Sequence, residues 1–212
     1  MIAIISGKIL NAWKVNPNVW LFKLKQYLSS FGLPLLHWEI FGGNALLLKV
    51  SVPDALWTAV CIKAIFRQVA ELDITLTIGI GTETHAGHSL RTSTGTAYTY
   101  SLWQTEDRIP RQATFTIQSA NSDFDRQFNL LLSFAVANMN EWSVLEAEIV
   151  ELSIIFPEKS QQEIADWLQI KQSAVSQRRK RAYFDLLLQL NHYYKNELNK
   201  ITAVHGPEQT PV

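Results

Sequence analysis

The chain has 212 residues, 19 lysines and arginines balanced by 19 aspartates and glutamates, 47% hydrophobic residues and one cysteine. This length and apolar content predict one or two folded domains and exclude a disordered chain. One cysteine excludes an internal disulfide or a cysteine-rich zinc site, and no stretch has the pattern of a signal peptide or a membrane span. We therefore expect a cytoplasmic protein without a membrane partner, in which any nucleic-acid binding depends on a local basic patch because the net charge is zero.

Apolar runs in the first part of the chain predict four strands. A short β-branched run predicts a strand over 2–6 that stops at Gly7, and alternation of Ile or Leu with Thr predicts another over 74–80. Between them, apolar runs at 35–41 and 45–51 flank a Gly-Gly-Asn turn, which is typical of a β-hairpin.

Apolar residues at three- and four-residue spacing predict two helices among these strands. The first covers 18–31, with Val19, Phe22 and the Leu and Tyr residues of this segment on its apolar face, and the second starts at Pro53 and continues to about residue 71. The resulting order, β-α-β-β-α-β, predicts a ferredoxin-like or palm-type α+β domain.

The middle of the chain gives a weaker pattern. Residues 81–112 are rich in Thr, Ser and Gly and predict a long loop region, with short strands at 97–102 and 113–118. A helix over 122–139, with Ser122 as its N-cap, is expected to end the first domain near residue 140.

Two Ser-x-x-Glu spacings predict two consecutive capped helices. Ser143 and Glu146 form the first capping box, and its helix is expected to end at Phe156, before a proline. Ser160 and Glu163 form the second, which opens a short helix through residue 168.

A third helix follows a tight turn at 169–171 and is anchored by Val175. The order is typical of a helix-turn-helix. Short polar and amide groups can hydrogen-bond base edges, and the candidate base-contacting residues are Gln172, Ser173, Ser176 and Gln177. The candidate phosphate-binding residues are Lys171, Arg178, Arg179, Lys180 and Arg181. Four or five phosphate contacts would give a salt slope of about −4 per module. The alternative is a basic helix that is only a solvated face.

Two features after Val175 depart from a minimal helix-turn-helix. Arg179 stands where a second apolar anchor is common, and we expect its stem to pack while its guanidinium reaches solvent. The segment 182–198 carries more apolar residues than one packing face needs, so part of it is a candidate dimer surface. The equally supported alternative is that this helix packs back on the first domain.

Five short motifs resemble the SatD family. They are IAIISG at 2–7, WEIFGG at 38–43, IGIG at 78–81, Ser93-x-Gly95-x-Ala97, and the segment 161–182. The resemblance covers most of the chain and implies a nucleotidyl-cyclase-like or palm-type domain followed by a helix-turn-helix.

The resemblance fails at two positions that matter for catalysis. The family pattern has an acidic residue after the first Ser-Gly and Gly-Asp-Ser in the hairpin, whereas this chain has Lys8 and Asn44. Paired carboxylates hold divalent ions in such domains, so the resemblance implies a chain without metal-dependent catalysis. One hypothesis is a nucleotide site in which Lys8, Gly42, Gly43 and Asn44 contact phosphates. The alternative, which we favour, is a solvated strand-end lysine and an asparagine that tolerates positive φ.

Two other chemistries are considered and set aside. Glu83, His85 and His88 lie within six residues in a Thr- and Gly-rich loop, a pattern more typical of solvent-exposed side chains than of a metal site. Cys61 lies in an apolar helix and is expected to be a core residue.

Together these observations predict a two-domain α+β protein: a palm-like domain over 1–140, a helix-turn-helix domain over 141–200 and a frayed tail over 201–212. We expect a sequence-specific DNA-binding protein, a dimeric transcriptional regulator that needs no cofactor. Its first domain would be a sensor or dimerisation module, with a nucleotide as the effector it could bind. The alternatives are a nucleotidyl-cyclase-like enzyme and a protein-interaction module.

Overall fold

The computed structural model describes residues 1–102 and 114–204, with side chains described up to residue 198. These residues form a mixed α+β structure of five strands and eight α-helices. The strands are β1 (Ile2–Leu10), β2 (Trp38–Phe41), β3 (Ala45–Val50), β4 (Asp73–Gly81) and β5 (Phe115–Gln118). The helices are α1 (Leu21–Ser29), α2 (Ala55–Arg67), α3 (Thr96–Ser101), α4 (Ser122–Met139), α5 (Val144–Ile155), α6 (Gln161–Leu168), α7 (Gln172–Arg181) and α8 (Phe184–Val204).

The strands form one mixed sheet in the order β2-β3-β1-β4-β5. Neighbouring strands are antiparallel except for β4 and β5, which are parallel. β1 is the central strand, and it pairs along its length with β4 on one side and β3 on the other. The predicted hairpin is confirmed, because β2 and β3 pair in the antiparallel direction around the turn at 42–44.

Side chains alternate across the sheet, so each face of β1 contributes to a different core. Ala3, Ile5 and Ile9 belong to the main core, which also includes side chains of α1, α2 and α4. Ile4 belongs to a smaller core on the opposite face, where it lies with Ala97 and other residues around α3. The main core therefore lies between the sheet and the helices on one face.

The glycines of the IGIG motif allow α3 to lie directly on β4. A Cβ added to Gly79 would be 2.2 Å from the carbonyl oxygen of Ala97, and one added to Gly81 would be 2.6 Å from the Ala97 amide nitrogen. Side chains at these two positions would clash with the backbone of α3. The motif is thus explained by helix packing on the sheet.

The outer edge of β5 is covered by a side chain from α4. Asn129 Oδ1 accepts a hydrogen bond from the Ile117 amide at 2.8 Å, and Asn129 Nδ2 donates to the Ile117 carbonyl at 2.9 Å. The asparagine therefore pairs with both backbone groups of one residue, as a neighbouring strand would. This reduces the free hydrogen-bonding edge of the sheet.

The prediction that the first strand stops at Gly7 is wrong. β1 continues to Leu10, and Lys8 pairs with Ala45 of β3 and Thr75 of β4. Hydrogen bonds from strands on both sides keep the backbone extended through the glycine. A Cβ at Gly7 would be 2.8 Å from Ile74 Cδ1, the end of a side chain that can shift.

The predicted apolar face of the first helix is confirmed for its leucines but wrong for Val19 and Phe22. The helix is confirmed at Leu21–Ser29, but Val19 lies in a separate turn and is 59% exposed, and Phe22 is 77% exposed. Leu24 and Leu28 supply the buried face. Their spacing of four residues matches a helical stripe, and the packing against α2 and the sheet selects this stripe.

The predicted strand at 97–102 is a helix. Residues 96–101 form α3, which buries Ala97, Tyr98 and Ser101 against β4 and its surroundings. The second predicted strand is confirmed as β5 over 115–118, while 103–113 lie outside the described residues. Ser122 is not the N-cap of α4, because the side chain of Asn121 accepts hydrogen bonds from the amides of Asp123 and Phe124.

The helices at the end of the chain share the core of the sheet. Val150 of α5 and Phe184, Leu187 and Tyr194 of α8 belong to the main core. The hydroxyl of Tyr194 donates to the carbonyl of Val52 at 2.8 Å. α8 extends to Val204, and the remaining tail residues lie outside the described part. None of the helices in the described ranges is long and apolar enough to span a membrane.

Candidate nucleic-acid interface

Both predicted capping boxes form. The Ser143 hydroxyl accepts from the Glu146 amide at 3.3 Å, and the Glu146 carboxylate accepts from the Ser143 amide at 2.9 Å. Ser160 and Glu163 make the same reciprocal pair at 3.2 and 2.8 Å. These bonds satisfy amides that the first turn of a helix leaves free, so they fix where α5 and α6 begin.

A three-residue turn connects α6 to α7. Gln169 has a left-handed backbone (φ 54°), and the Ile170 amide donates to the Ala165 carbonyl at 3.0 Å, which closes the end of α6. α7 starts at Gln172. The turn is therefore as short as the sequence predicts.

The three helices pack around a small core of their own. Its buried residues are Ile149 of α5, Ile164 and Ala165 of α6 and Val175 of α7. The prediction of Val175 as the apolar anchor of α7 is confirmed. Because this side chain is fully buried, it fixes the rotation of α7 about its axis and determines which of its residues face solvent.

The four candidate base-contacting side chains face solvent on one side of α7. They are Gln172, Ser173, Ser176 and Gln177, and all are exposed. Their spacings of three and four residues place them on one helix face, and Lys180 continues it by one turn. The structure thus brings together amide and hydroxyl groups on a convex surface without an apolar side chain between them.

The five candidate phosphate-binding cations divide into two groups. Lys171, Lys180 and Arg181 are exposed, and within the described residues no ion pair involves them. Arg178 and Arg179 are different, because each side chain is only 20% exposed and lies near an acidic group. Among the described residues, three cations therefore face solvent without an ion-pair partner.

Arg179 shows how a charged residue occupies an expected apolar position. Its guanidinium carbon lies 4.5 Å from the centre of the Phe184 ring, and its Nη2 is 3.4 Å from an Asp185 carboxylate oxygen. The stem packs as predicted, but the guanidinium stacks on an aromatic ring instead of extending into water. Arg178 is farther from its acidic neighbour, with its Nη1 4.0 Å from Glu148 Oε2.

One residue of this surface was missed by the sequence analysis. Gln161, the first residue of α6, accepts a hydrogen bond at Oε1 from Nε2 of Gln172, the first residue of α7, at 2.8 Å. The two residues are eleven positions apart, and their contact depends on how the two helices cross. No pattern within either helix predicts it.

The candidate nucleotide-contacting residues lie together at one end of the sheet. Lys8 is exposed and pairs in register with Ala45, directly after the hairpin turn. Gly42 and Gly43 take the positive φ values of this turn, 58° and 75°. The expectation of positive φ at Asn44 is wrong, and so is the placement of Lys8 at a strand end.

Glu83 and Cys61, which the sequence analysis sets aside as metal ligand and nucleophile, have structural roles. The Glu83 carboxylate pairs with Lys49 and accepts a hydrogen bond from the Tyr98 hydroxyl at 3.4 Å. Within the described ranges, no group of three potential ligands is arranged for a metal ion. Cys61 is a buried core residue, as predicted, and burial raises the pKa of its thiol.

α8 packs back on the rest of the chain, which was the alternative to a dimer surface. The ring of Phe184 contacts that of Trp57 in α2, with centroids 5.7 Å apart, and Tyr194 packs against Phe124 and Phe128 of α4. The start of the helix still leaves large apolar side chains exposed, namely Tyr183, Leu186 and Leu188. Packing on α2 and α4 thus accounts for one face of α8 only.

Comparisons with protein-family models, curated proteins and solved structures found no match to this chain. The functional argument therefore rests on the geometry and chemistry of α5 to α8 and of the sheet.

Proposed function

We propose that the protein binds double-stranded DNA sequence-specifically through a helix-turn-helix formed by α5, α6 and α7. The observation that carries this proposal is the solvent face of α7, where Gln172, Ser173, Ser176 and Gln177 are all exposed while Val175 holds the helix from the other side. The major groove of DNA admits one α-helix, and hydroxyl and amide groups can both donate to and accept from base edges. This face therefore suits direct contact with bases.

The charges around α7 support the same orientation. Lys171 lies before the helix, and Lys180 and Arg181 lie at its end, so cations flank the polar face. In a protein with zero net charge, these cations provide the local attraction to phosphates that sequence-independent binding needs. Phosphate contacts at both ends would set the position of the helix in the groove.

The capped, tightly connected helices support a recognition role over a merely solvated surface. A basic helix that is only a solvated surface needs neither a fixed rotation about its axis nor a fixed connection to the preceding helix. Here the capping box at Ser160 and Glu163, the closed turn at Gln169 and the anchor Val175 all restrict α7. A restricted helix loses less conformational freedom when it binds.

For the first part of the chain we propose a ferredoxin-like or palm-type domain that acts as a sensor or dimerisation module. Its support is the order β2-β3-β1-β4 with every pair antiparallel, to which β5 adds a parallel edge strand. Lys8 and Asn44 do not provide carboxylates for a catalytic metal, so we do not propose an enzyme. Membership of the SatD family, a cytoplasmic location and a nucleotide effector of this domain are further parts of this proposal. For Lys8 itself we favour a solvent-exposed lysine over a phosphate contact.

We also propose that the regulator binds as a dimer. Proteins with a helix-turn-helix commonly contact two half-sites related by two-fold symmetry. The apolar side chains that α8 leaves exposed, Tyr183, Leu186 and Leu188, are a candidate contact between copies.

A selection experiment tests the proposal directly. The purified full chain is incubated with fragments of genomic DNA and with random duplexes, and bound sequences are recovered, beside a Gln172→Ala/Gln177→Ala variant. We expect wild type to enrich a discrete, two-fold-symmetric site that the variant does not enrich. A matched control is Gln162→Ala, an exposed glutamine on α6 outside the proposed interface. Recovery of unrelated sequences in a salt-sensitive manner would reject the proposal and favour a protein partner for this surface.

A further inference from the structure

Two glutamine side chains at the starts of neighbouring helices are joined at the proposed interface. Gln172 Nε2 donates to Gln161 Oε1 at 2.8 Å. Gln172 is exposed and is a candidate base-contacting residue, while Gln161 is half-buried at the first position of α6. The bond therefore links a residue of α6 to the first residue of α7, the helix proposed to contact bases.

Gln161 is well placed to act as an anchor. The capping box at Ser160 and Glu163 fixes the backbone directly around it. Ile164 and Val175 are buried in the same small core, so α6 and α7 are held at a constant crossing. The Gln161 side chain that accepts the hydrogen bond from Gln172 thus extends from a backbone of fixed position, although the bond itself lies at the surface.

The bond restricts which hydrogen-bonding groups Gln172 can present to DNA. A free amide offers one carbonyl oxygen and two N–H donors. With one N–H committed to Gln161, the oxygen and a single N–H remain. Adenine presents one donor, N6–H, and one acceptor, N7, in the major groove, which match these two groups.

The same restriction acts against guanine. Guanine presents two acceptors, O6 and N7, in the major groove. An unrestrained glutamine can turn its amide so that the NH2 group alone approaches these acceptors, whereas the amide held by Gln161 presents its oxygen together with one N–H. Against guanine, the held amide would place its oxygen next to an acceptor, and the bond to Gln161 opposes the rotation that would relieve this repulsion.

We propose that Gln161 is a positioning residue that makes Gln172 select adenine over guanine at one position of each half-site. This inference rests on the proposed DNA-binding function. Gln161 acts through Gln172 and need not touch the base. Its removal is therefore expected to change base preference at one position while leaving the phosphate-dependent affinity unchanged.

Three substitutions separate this role from a structural one. Gln161→Leu keeps the size of the side chain but removes the acceptor. Gln161→Glu keeps an acceptor for Gln172 and is the conservative rescue, although its negative charge weakens binding to all sequences. Gln162→Leu is the matched control, because Gln162 donates to Asp166 at 2.7 Å within α6 and does not contact Gln172.

The position that Gln172 contacts is the one at which Gln172→Ala loses its base preference. The measurement is the dissociation constant for a duplex with guanine at this position divided by that for a duplex with adenine. We expect Gln161→Leu to reduce this ratio by about 2- to 10-fold, the range that one net hydrogen bond supplies. Gln161→Glu and Gln162→Leu should keep the wild-type ratio. Thermal unfolding of each variant checks that the fold is retained.

The outcomes distinguish this inference from the proposed function. If wild type selects a site and Gln172→Ala loses the preference, but Gln161→Leu retains the full ratio, the positioning role of Gln161 is overturned while DNA binding stands. An equal loss with Gln161→Leu and Gln162→Leu also overturns it, because the effect would not depend on the bond. If wild type selects no sequence, both the inference and the proposed function are rejected.

Discussion

The salt dependence of DNA binding is a sharp test of how the structure divides the basic residues of α7. Lys180 is exposed on the polar face, whereas Arg179 stacks on Phe184 and lies 3.4 Å from Asp185. The two residues are adjacent in sequence and carry the same charge. If both side chains contacted phosphates, replacing either one with glutamine would reduce the salt dependence of binding by the same amount.

The structure predicts different results for the two substitutions. Each phosphate neutralised by a cation contributes about −0.9 to the slope of log K against log salt concentration, so the three exposed cations give about −2.7 per module. This slope is smaller in magnitude than the value of about −4 expected when four or five cations are counted from the sequence. Lys180→Gln should reduce the slope to about −1.8, while Arg179→Gln should leave it near −2.7. Arg179→Gln should instead lower stability by up to about 1 kcal/mol through loss of the aromatic contact.

The assay is fluorescence anisotropy of a labelled non-specific duplex, titrated with the full chain at several salt concentrations between about 50 and 200 mM, the range over which counterion release strongly changes affinity. Lys14→Gln serves as the charge control, because Lys14 is an exposed lysine in the turn after β1. It should leave the slope unchanged. Equal reductions of the slope by Lys180→Gln and Arg179→Gln would refute the argument that the intramolecular contacts of Arg179 withhold its charge from DNA.

Three further predictions concern the fold. Asn129→Ala should lower the free energy of unfolding by about 1–3 kcal/mol in urea titrations, because both backbone groups of Ile117 lose a partner; an unchanged value would mean that water replaces the amide. Gly79→Ala should cost about 1–3 kcal/mol, because the new Cβ must displace α3 from β4; the wild-type value would contradict the close approach of helix and strand. The raised pKa of the buried Cys61 thiol implies that the unfolded thiol ionises first, from its usual pKa of 9.0, so stability falls as pH rises above this value. Between pH 9 and 10 the thiol should account for about 1 kcal/mol of this loss, and Cys61→Ala should remove that part, while the smaller loss from Tyr27 and Tyr194, whose pKa values burial also raises, remains; an equal loss in this variant would assign the effect to other groups.

The capped helices could be predicted because their hydrogen bonds close within a few residues. The Ser143 and Ser160 capping boxes, the turn at 169–171 and the anchor Val175 all depend on near neighbours in sequence. The hairpin around Gly42 and Gly43 is local in the same way. For such features, residue type and spacing are sufficient to predict the structure, because the interacting groups are close in sequence.

The errors occur where distant segments determine the conformation. The sequence predicts a short strand at 97–102 within a Thr- and Ser-rich region, but the glycines of β4 leave room for a helix over Thr96–Ser101. Val19, Phe22 and the leucines of the first helix share one apolar spacing, yet the packing of α1 buries Leu24 and Leu28 and leaves Val19 and Phe22 exposed. In both cases the local pattern allows more than one conformation, and contacts across the fold select one.

By itself, the sequence determined an α+β chain with a capped, basic helical segment whose third helix begins with amide and hydroxyl side chains. Only the tertiary structure decided which of those groups are available. Stacking on Phe184 keeps Arg179 from solvent, and the crossing of α6 and α7 ties Gln172 to Gln161. The physical reason is that composition and spacing set the chemistry of a surface, whereas the direction and partners of each side chain depend on contacts between elements that meet only after folding.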